Sequence, residues 1–374
     1  MLVASAVIYL AANLIHLVRA KVVTGPLYAY PKITVCVPAR NEARDIEACL
    51  RSLLAQEYPD FEVIAVDDSS TDDTLAIMQT VAHEDPRLTV VRGLVLAEGW
   101  LGKPFALHQA VQRAGGEFLL FTDADPVFHP RALVSAVYLM QLRNLDVLTL
   151  MPGAEFLTFW ERAVQPVFFG FIAALSRFKK INSPAHSEGM GVGAFLMFRR
   201  SAYERTGGHE AVRQDIVEDI ALAKCAKAQG CSLLLADGKN LLTIRMYHSL
   251  EEIRRGWKKN VFIAMKRSIL RTVYYMVLIP AFVLGPYLVA VAALLSGGGW
   301  FVLAPALAAL ALSVGAAFAL CDELRLPRFN AVFFPLGAVV LSNVLFDSMK
   351  GVLVSGTTEW RGRTFATPEK RNRA

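Results

Sequence analysis

Two carboxylates stand one residue apart at Asp123 and Asp125, directly after the apolar run Phe118–Phe121 and just before Pro126. Four apolar residues in succession read as a strand buried on both faces, and the proline forbids it to continue. Ligands of open α/β sheets gather outside the carboxyl ends of strands, so a ligand would meet these two groups. Hard oxygen donors in such a place suit Mg²⁺ or Mn²⁺ shared with substrate phosphates. A solvated turn is the other reading, since Asp is common wherever strands end. A second acidic pair, Glu218 and Asp219, opens a helix expected to run through Ala228. In a first helical turn such a pair either complements the helix dipole or supplies a base that takes a proton.

The elements that must position these groups alternate. A strand is expected from Ile33 to Val37, followed by Pro38-Ala39-Arg40-Asn41-Glu42 as a turn. Ile46, Cys49, Leu50, Leu53 and Leu54 then recur at helical spacing. A second strand, Phe61 to Val66, runs into Asp67 and Asp68, and the Ser/Thr/Asp run ending at Thr74 can cap the next helix. A third strand spans Leu88 to Arg92. Gly99 to Pro104 reads as a loop before a helix that stops at Gly115-Gly116. Strands alternating with helices imply a mostly parallel sheet covered on both faces. Gly189, Gly191 and Gly193 have no helix start after them, so they are no phosphate loop. They imply either close approach of the backbone to a sugar or acceptor, or a bend.

Composition sets the surroundings. Of 374 residues 54% are hydrophobic and 19% charged, too apolar for an ordinary soluble enzyme, and the excess lies at the two ends. Residues 1–18 are interrupted only by Asn13 and His16. They approach the roughly 17 to 25 residues that a spanning helix needs. With no basic segment before it and no clear cleavage site after it, an uncleaved anchor over 1–20 is expected. Three further apolar runs, 272–296, 300–321 and 329–354, make a set of C-terminal membrane segments over 272–354, followed by a basic tail, 355–374. Asn343, Asp347 and Lys350 imply that the third run faces protein or water in part. A re-entrant third run would leave the basic tail on the cytoplasmic side. Residues 156–180, rich in Phe and carrying Trp160, suit a helix lying in the headgroup region or a core helix of the sheet domain.

The net charge is +6, and the basic residues flank the apolar runs: Arg19 and Lys21 after the first, and the series from Arg254 to Arg271 before the second. That is the pattern of a cytoplasmic flank on anionic membrane lipids. No motif for DNA or RNA accompanies it, so nucleic acid is not an expected partner. The five cysteines, Cys36, Cys49, Cys225, Cys231 and Cys321, form no Cys-x-x-Cys pair and read as reduced packing residues, which excludes a zinc site or a disulfide scaffold.

Four motifs in order, Pro38-Ala-Arg-Asn-Glu42, Val66-Asp-Asp-Ser-Ser-Thr-Asp-Asp-Thr74, Gly102-Lys-Pro104 and Thr122-Asp-Ala-Asp125, resemble glycosyltransferase family 2. The resemblance covers residues 33–266. It is nearest to membrane-anchored members that glycosylate lipids, such as ceramide glucosyltransferases and hopanoid- or carotenoid-associated enzymes. It implies a GT-A fold over 30–268, a nucleotide-diphosphate sugar as donor (UDP-sugar favoured) and a divalent metal, Mg²⁺ or Mn²⁺. On that resemblance Pro38, Arg40, Glu42, Asp68 and Asp123 line the nucleotide pocket, and Lys103 approaches the base or diphosphate. Asp123 and Asp125 match the metal-binding pair, Asp125 being the first choice for direct contact with the ion, and Asp219, beside Glu218, is the base of an inverting transfer. A cation held there would stabilise the charge that develops on the leaving diphosphate.

Processive synthases carry Gln-x-x-Arg-Trp where this chain has only Arg254-Arg255-Gly256-Trp257, which favours transfer of a single sugar. Arg254, Arg255, Trp257 and Lys258 are candidates for contact with the diphosphate or acceptor, and membrane-surface charge accounts equally well for the basic ones. Trp360-Arg361-Gly362-Arg363 resembles a tail motif near the active site of related enzymes. The expectation is an integral protein of a bacterial inner membrane with a cytoplasmic catalytic domain, acting on the hydroxyl of a lipid. Transfer to polyprenyl phosphate, as in dolichyl-phosphate mannose synthases, and a sugar-nucleotide sensor without turnover are the alternatives.

Overall fold

Apolar runs bounded by turn residues build the sheet. The chain enters as β1 (Val18–Arg19) and continues through β2 (Ile33–Ala39), α1 (Ile46–Leu54), β3 (Phe61–Asp67), α2 (Thr74–Glu84), β4 (Leu88–Arg92), α3 (Gly102–Val111) and β5 (Phe118–Phe121). Next come β6 (Val127–Phe128), α4 (Ala132–Leu142), β7 (Val147–Met151) and β8 (Gly153–Ala154). After a helix that belongs to a second unit, β9 (Leu196–Arg199), α5 (Glu218–Ala228), β10 (Leu233–Asp237) and β11 (Leu242–Ile244) complete it. The computed structural model describes residue 9, residues 12–265, 267–297 and 299–355, and the backbone of 357–360 and 363–366. It divides into a sheet unit of residues 15–155 and 177–246 and a helical unit made of the remainder.

The main sheet has the order β1-β10-β7-β9-β5-β2-β3-β4. Every pairing in it is parallel except those of β9, which runs against both β5 and β7. Side chains alternate between two cores. Val35 and Val37 of β2 pack with Ile46, Leu50 and Leu53 of α1, while Cys36 between them packs with Ala106, Leu107 and Ala110 of α3. Phe118 and Leu120 of β5 join the first core, and Leu119 and Phe121 the second. Covering on both faces is why these strands read as unbroken apolar runs. Each large side chain so buried contributes about 1.5–3 kcal/mol. All five cysteines are free, and all but Cys225 are buried.

Several expectations shift. Of the anchor expected over 1–20, residues 1–8, 10 and 11 lie outside the described residues. Residues 12–14 are helical, but Val18 and Arg19 pair with Ala236 and Asp237 as an edge strand of the sheet. Gly102-Lys103-Pro104 forms the first turn of α3 instead of a loop ahead of it; proline is accepted there because its missing N–H has no intrahelical partner to lose. The residue before α2, Asp73, makes no side-chain cap; Asp72 instead accepts the N–H of Thr74 at 3.0 Å.

In the helical unit, Trp300–Glu323 and Arg328–Leu353 are long and apolar enough to cross a membrane. Ile269–Val283 and Gly285–Leu295 form a pair bent by 49°, either a broken span or a re-entrant loop. The break therefore falls in the first apolar run, and the third, expected to re-enter, is one helix from a 3-10 start at Arg328. Two of its polar residues meet protein: Asp347 pairs with Arg254 at 3.2 Å, and Ser348 donates to the carbonyl of Lys258 at 2.5 Å, while Asn343 and Lys350 are exposed. The helix Phe159–Leu175, expected in the headgroup region or in the sheet core, packs inside this unit. A Cβ on Gly337 would meet the Ala163 carbonyl at 2.6 Å, so the two helices cross closely. Glu161 is fully buried because it closes a capping box, taking the N–H of Leu157 at 2.6 Å while Thr158 accepts that of Glu161 at 3.4 Å. Of the tail, residues 356, 361, 362 and 367–374 lie outside the described residues, and 357–360 pairs antiparallel with 363–366.

Candidate functional site

Parallel strands end on one side. β2, β3 and β5 bring Ala39, Asp67 and Phe121 to a common edge, and the antiparallel β9 starts there, with Leu196 opposite Phe121. The segments leaving that edge carry the motif residues. The turn after β2 is laced to the turn after β3. Arg40 donates to the carbonyls of Asp68 and, at 3.1 Å, Ser69, and Glu42 N–H donates to Thr74 Oγ1 at 2.8 Å. Asn41 N–H donates to Ser70 Oγ at 3.1 Å, and its Oδ1 accepts the Thr71 N–H at 2.8 Å. Asn41 and Ser69 both sit in the left-handed region, at φ 54° and 57°. Such backbone persists where surrounding bonds over-determine it, often beside ligands. Asp68 is 4% exposed.

The acidic motifs meet at a lysine. The first turn of α3 sends Lys103 Nζ to 2.6 Å from Asp123 Oδ1 and 2.6 Å from Glu218 Oε1. One cation thus joins the strand-end carboxylates to the pair that opens α5. The glycines permit this. A Cβ on Gly193 would lie 2.6 Å from Asp123 Oδ2, one on Gly191 2.2 Å from the Asp219 carbonyl, and one on Gly189 2.5 Å from that of Ala223. The alternating glycines therefore let the chain's own backbone run against α5 and Asp123. Asp123 N–H donates to the Gly193 carbonyl at 2.9 Å, and Thr122 Oγ1 to that of Ala194 at 2.9 Å.

Charge balance follows from burial. Desolvation pushes the Asp219 carboxyl up, and the charge of Glu218 pushes it further, against the pull of Lys103 and the Ile220 N–H donated at 2.8 Å; the result is about 7. Burial alone would lower Lys103, but the charges of Asp123, Glu218 and Asp219 hold it well above the usual lysine range. Asp219 is thus a carboxylate that takes a proton near neutrality, next to an ammonium that keeps its own. His209, not foreseen from the sequence, is buried with its ring edge-on to Phe121 at 4.6 Å. Burial first, then Lys103, hold it down to about 3, so it stays neutral, with Nδ1 in a hydrogen bond with the Tyr203 hydroxyl at 2.8 Å. Its residue type alone carried no signal. Gly191 and Gly193 did carry one, in their spacing, with another explanation.

Four candidates lie outside the sheet unit. Arg254, Arg255, Trp257 and Lys258 belong to the helical unit. There Arg254 pairs with Asp347 and Arg255 with Glu251 on its own helix at 2.5 Å. Trp257 is 7% exposed and stacks on Phe168, ring centres 4.9 Å apart.

Among the described residues no three His, Cys, Asp or Glu side chains converge as a metal cage. Asp123, 39% exposed at its side chain, and the half-buried Asp125 offer two hard oxygen donors at the strand end. That donor set fits a hard divalent cation that completes its shell with water and phosphate oxygens.

Residues 34–207 match the pattern of Glycosyl transferase family 2. A 4,4'-diaponeurosporenoate glycosyltransferase of Staphylococcus aureus is 26% identical over 251 residues, which cover 66% of this chain and 64% of that protein. The chain thus spans just under two thirds of the length of that curated relative. A mannosyltransferase of Pyrobaculum calidifontis, solved in complex with GDP-Man and Mn²⁺, shares the fold at a TM-score of 0.52 and 19% identity, covering 94% of this chain and 95% of its own. With the mostly parallel sheet and the motifs gathered at its carboxyl edge, these matches show a glycosyltransferase family 2 domain over residues 34–207 and a GT-A fold.

Proposed function

We propose that this protein transfers a single sugar, with inversion, from a nucleotide-diphosphate sugar, UDP-sugar favoured, to a hydroxyl of a membrane lipid. The observation that carries the reading is the bridge of Lys103 between Asp123 and Glu218, which gathers three motifs in one cluster. Pro38, Arg40, Glu42 and Asp68 bind the nucleotide. Arg40 does so by holding the turn after β3 in its left-handed backbone. A divalent cation, when bound through Asp123 and Asp125, would supply positive charge to the leaving diphosphate. Lys103 offers a second positive charge near it, shared with Glu218. Asp219 takes the proton of an acceptor hydroxyl as its oxygen attacks the anomeric carbon from the face opposite the diphosphate. Two spanning-length helices and a bent apolar pair support a membrane protein and an acceptor drawn from the bilayer. On this reading it resides in a bacterial inner membrane with the sheet domain in the cytoplasm.

The test is incubation of purified protein with labelled UDP- and GDP-sugars and a bacterial-type lipid extract, with and without EDTA, followed by mass analysis. A glycolipid formed only without EDTA is expected. Nucleotide binding without sugar release or transfer would point to a sensor. A second reading, transfer to an already anionic oxygen such as a carboxylate or polyprenyl phosphate, is favoured by the relative's name, which is that of a carboxylate, diaponeurosporenoate. Asp219→Asn separates the two. It nearly abolishes hydroxyl transfer and leaves substantial turnover on an acid acceptor, which has no proton to lose.

A further inference from the structure

Lys103 occupies the carboxylate that, on the reading above, takes a divalent cation. Its Nζ lies 2.6 Å from Asp123 Oδ1, so an ammonium already fills one side of that ligand. The other oxygen is closed in by Gly193, where even a methyl group would come within 2.6 Å. The backbone of Asp123 is fixed by its N–H, which donates to the Gly193 carbonyl at 2.9 Å. Relief of the crowding can come from the lysine. Lys103 has somewhere to go: Glu218 Oε1 is also at 2.6 Å, and its side chain is 6% exposed against 39% for Asp123. The more deeply buried anion has the greater need of a counter-charge.

We propose that Lys103 is a resident counter-cation, a positioning residue that competes with the divalent ion for Asp123 and withdraws onto Glu218 when ion and donor diphosphate arrive together. The inference rests on Asp123 as an ion ligand, and it goes beyond a lysine that touches the donor. Without nucleotide the ion must displace an ammonium and gains no diphosphate oxygens in return. With nucleotide the added negative charge offsets the crowding of two cations. Ion binding is therefore conditional on donor binding, and the lysine left on Glu218 reports donor occupancy to the helix that carries Asp219.

The experiment is a titration of the full-length protein in detergent with Mn²⁺, following the EPR signal of free Mn²⁺, with and without UDP. Wild type is expected to bind Mn²⁺ weakly alone and at least about tenfold more tightly with UDP. Lys103→Met should bind Mn²⁺ alone about tenfold more tightly than wild type. The decisive measurement is the same substitution made in Glu218→Gln, where the lysine has no second carboxylate to retreat to. There the gain from removing Lys103 must exceed the gain in the wild-type background. The double variant also removes both buried charges together, so it remains testable where Lys103→Met alone does not fold, by comparison with Glu218→Gln. Equal gains in the two backgrounds, or no gain, overturn the proposal and leave the cation site standing. Absence of Mn²⁺ binding in every variant, even with UDP, overturns both.

Discussion

If Asp219 is the base, as proposed, burial and then the charge of Glu218 set the pH at which it works. Burial is the first reason that Asp219 rises to about 7, and Glu218 is the second; Lys103 and the Ile220 N–H oppose them. A base must be deprotonated, so kcat/KM falls below that value by about tenfold per pH unit, to roughly one hundredth at pH 5. Glu218→Gln removes the neighbouring negative charge and lowers the Asp219 value, so the acid limb moves to lower pH by about one to three units. Relative activity at pH 5 then rises even if the rate at pH 8 is reduced. The assay is initial-rate transfer of labelled sugar into extracted lipid between pH 4.5 and 9, normalised within each variant to its own maximum. A wild-type profile flat over that range, or an acid limb unmoved by Glu218→Gln, would refute the assignment of Asp219 as base.

Asp219 also carries a stability signature. Its raised value means that the folded protein keeps a proton which the unfolded chain releases above about pH 4. Its contribution to stability therefore declines as pH rises from about 4 to 7, by up to about 4 kcal/mol. Asp219→Asn should match wild type in melting temperature at pH 4 and exceed it at pH 8. Gly191→Ala puts a methyl group 2.2 Å from the Asp219 carbonyl and should cost about 1–3 kcal/mol or more in urea denaturation. Gly230→Ala, with open space around it but φ at +74°, should cost about 1 kcal/mol. Trp257→Ala empties the space against Phe168 and should destabilise the helical unit by about 3–5 kcal/mol, read as a lower melting temperature in detergent.

Much of the frame was legible in the residues alone. β4, β5 and α5 fall on the expected residues, and β2 and β3 run one or two residues further. Short apolar runs closed by Gly, Pro and Asp carry a strong local signal. The helical spacing of Ile46 to Leu54 was enough for α1, because burial of one face is a property of a single segment. The three C-terminal apolar runs were equally plain, since spanning length and apolarity are local. β1 was not legible. Two residues inside an apolar run become a strand only because β10 offers an unpaired edge, and that edge is set by sheet order.

The acidic motifs, and with them the family, could be read from residue types and order. What tertiary structure alone decided is which charges touch. Lys103, Asp123 and Glu218 come from separate segments, and their contact depends on where α3 and α5 begin relative to β5. The same assembly set the backbone at Gly191 and Gly193 close against α5 and Asp123, and it gave Trp257 a ring to stack on. Periodicity describes what one segment wants to bury. Electrostatics at this site depends on distances of a few ångströms between segments far apart in the chain, and packing sets those distances.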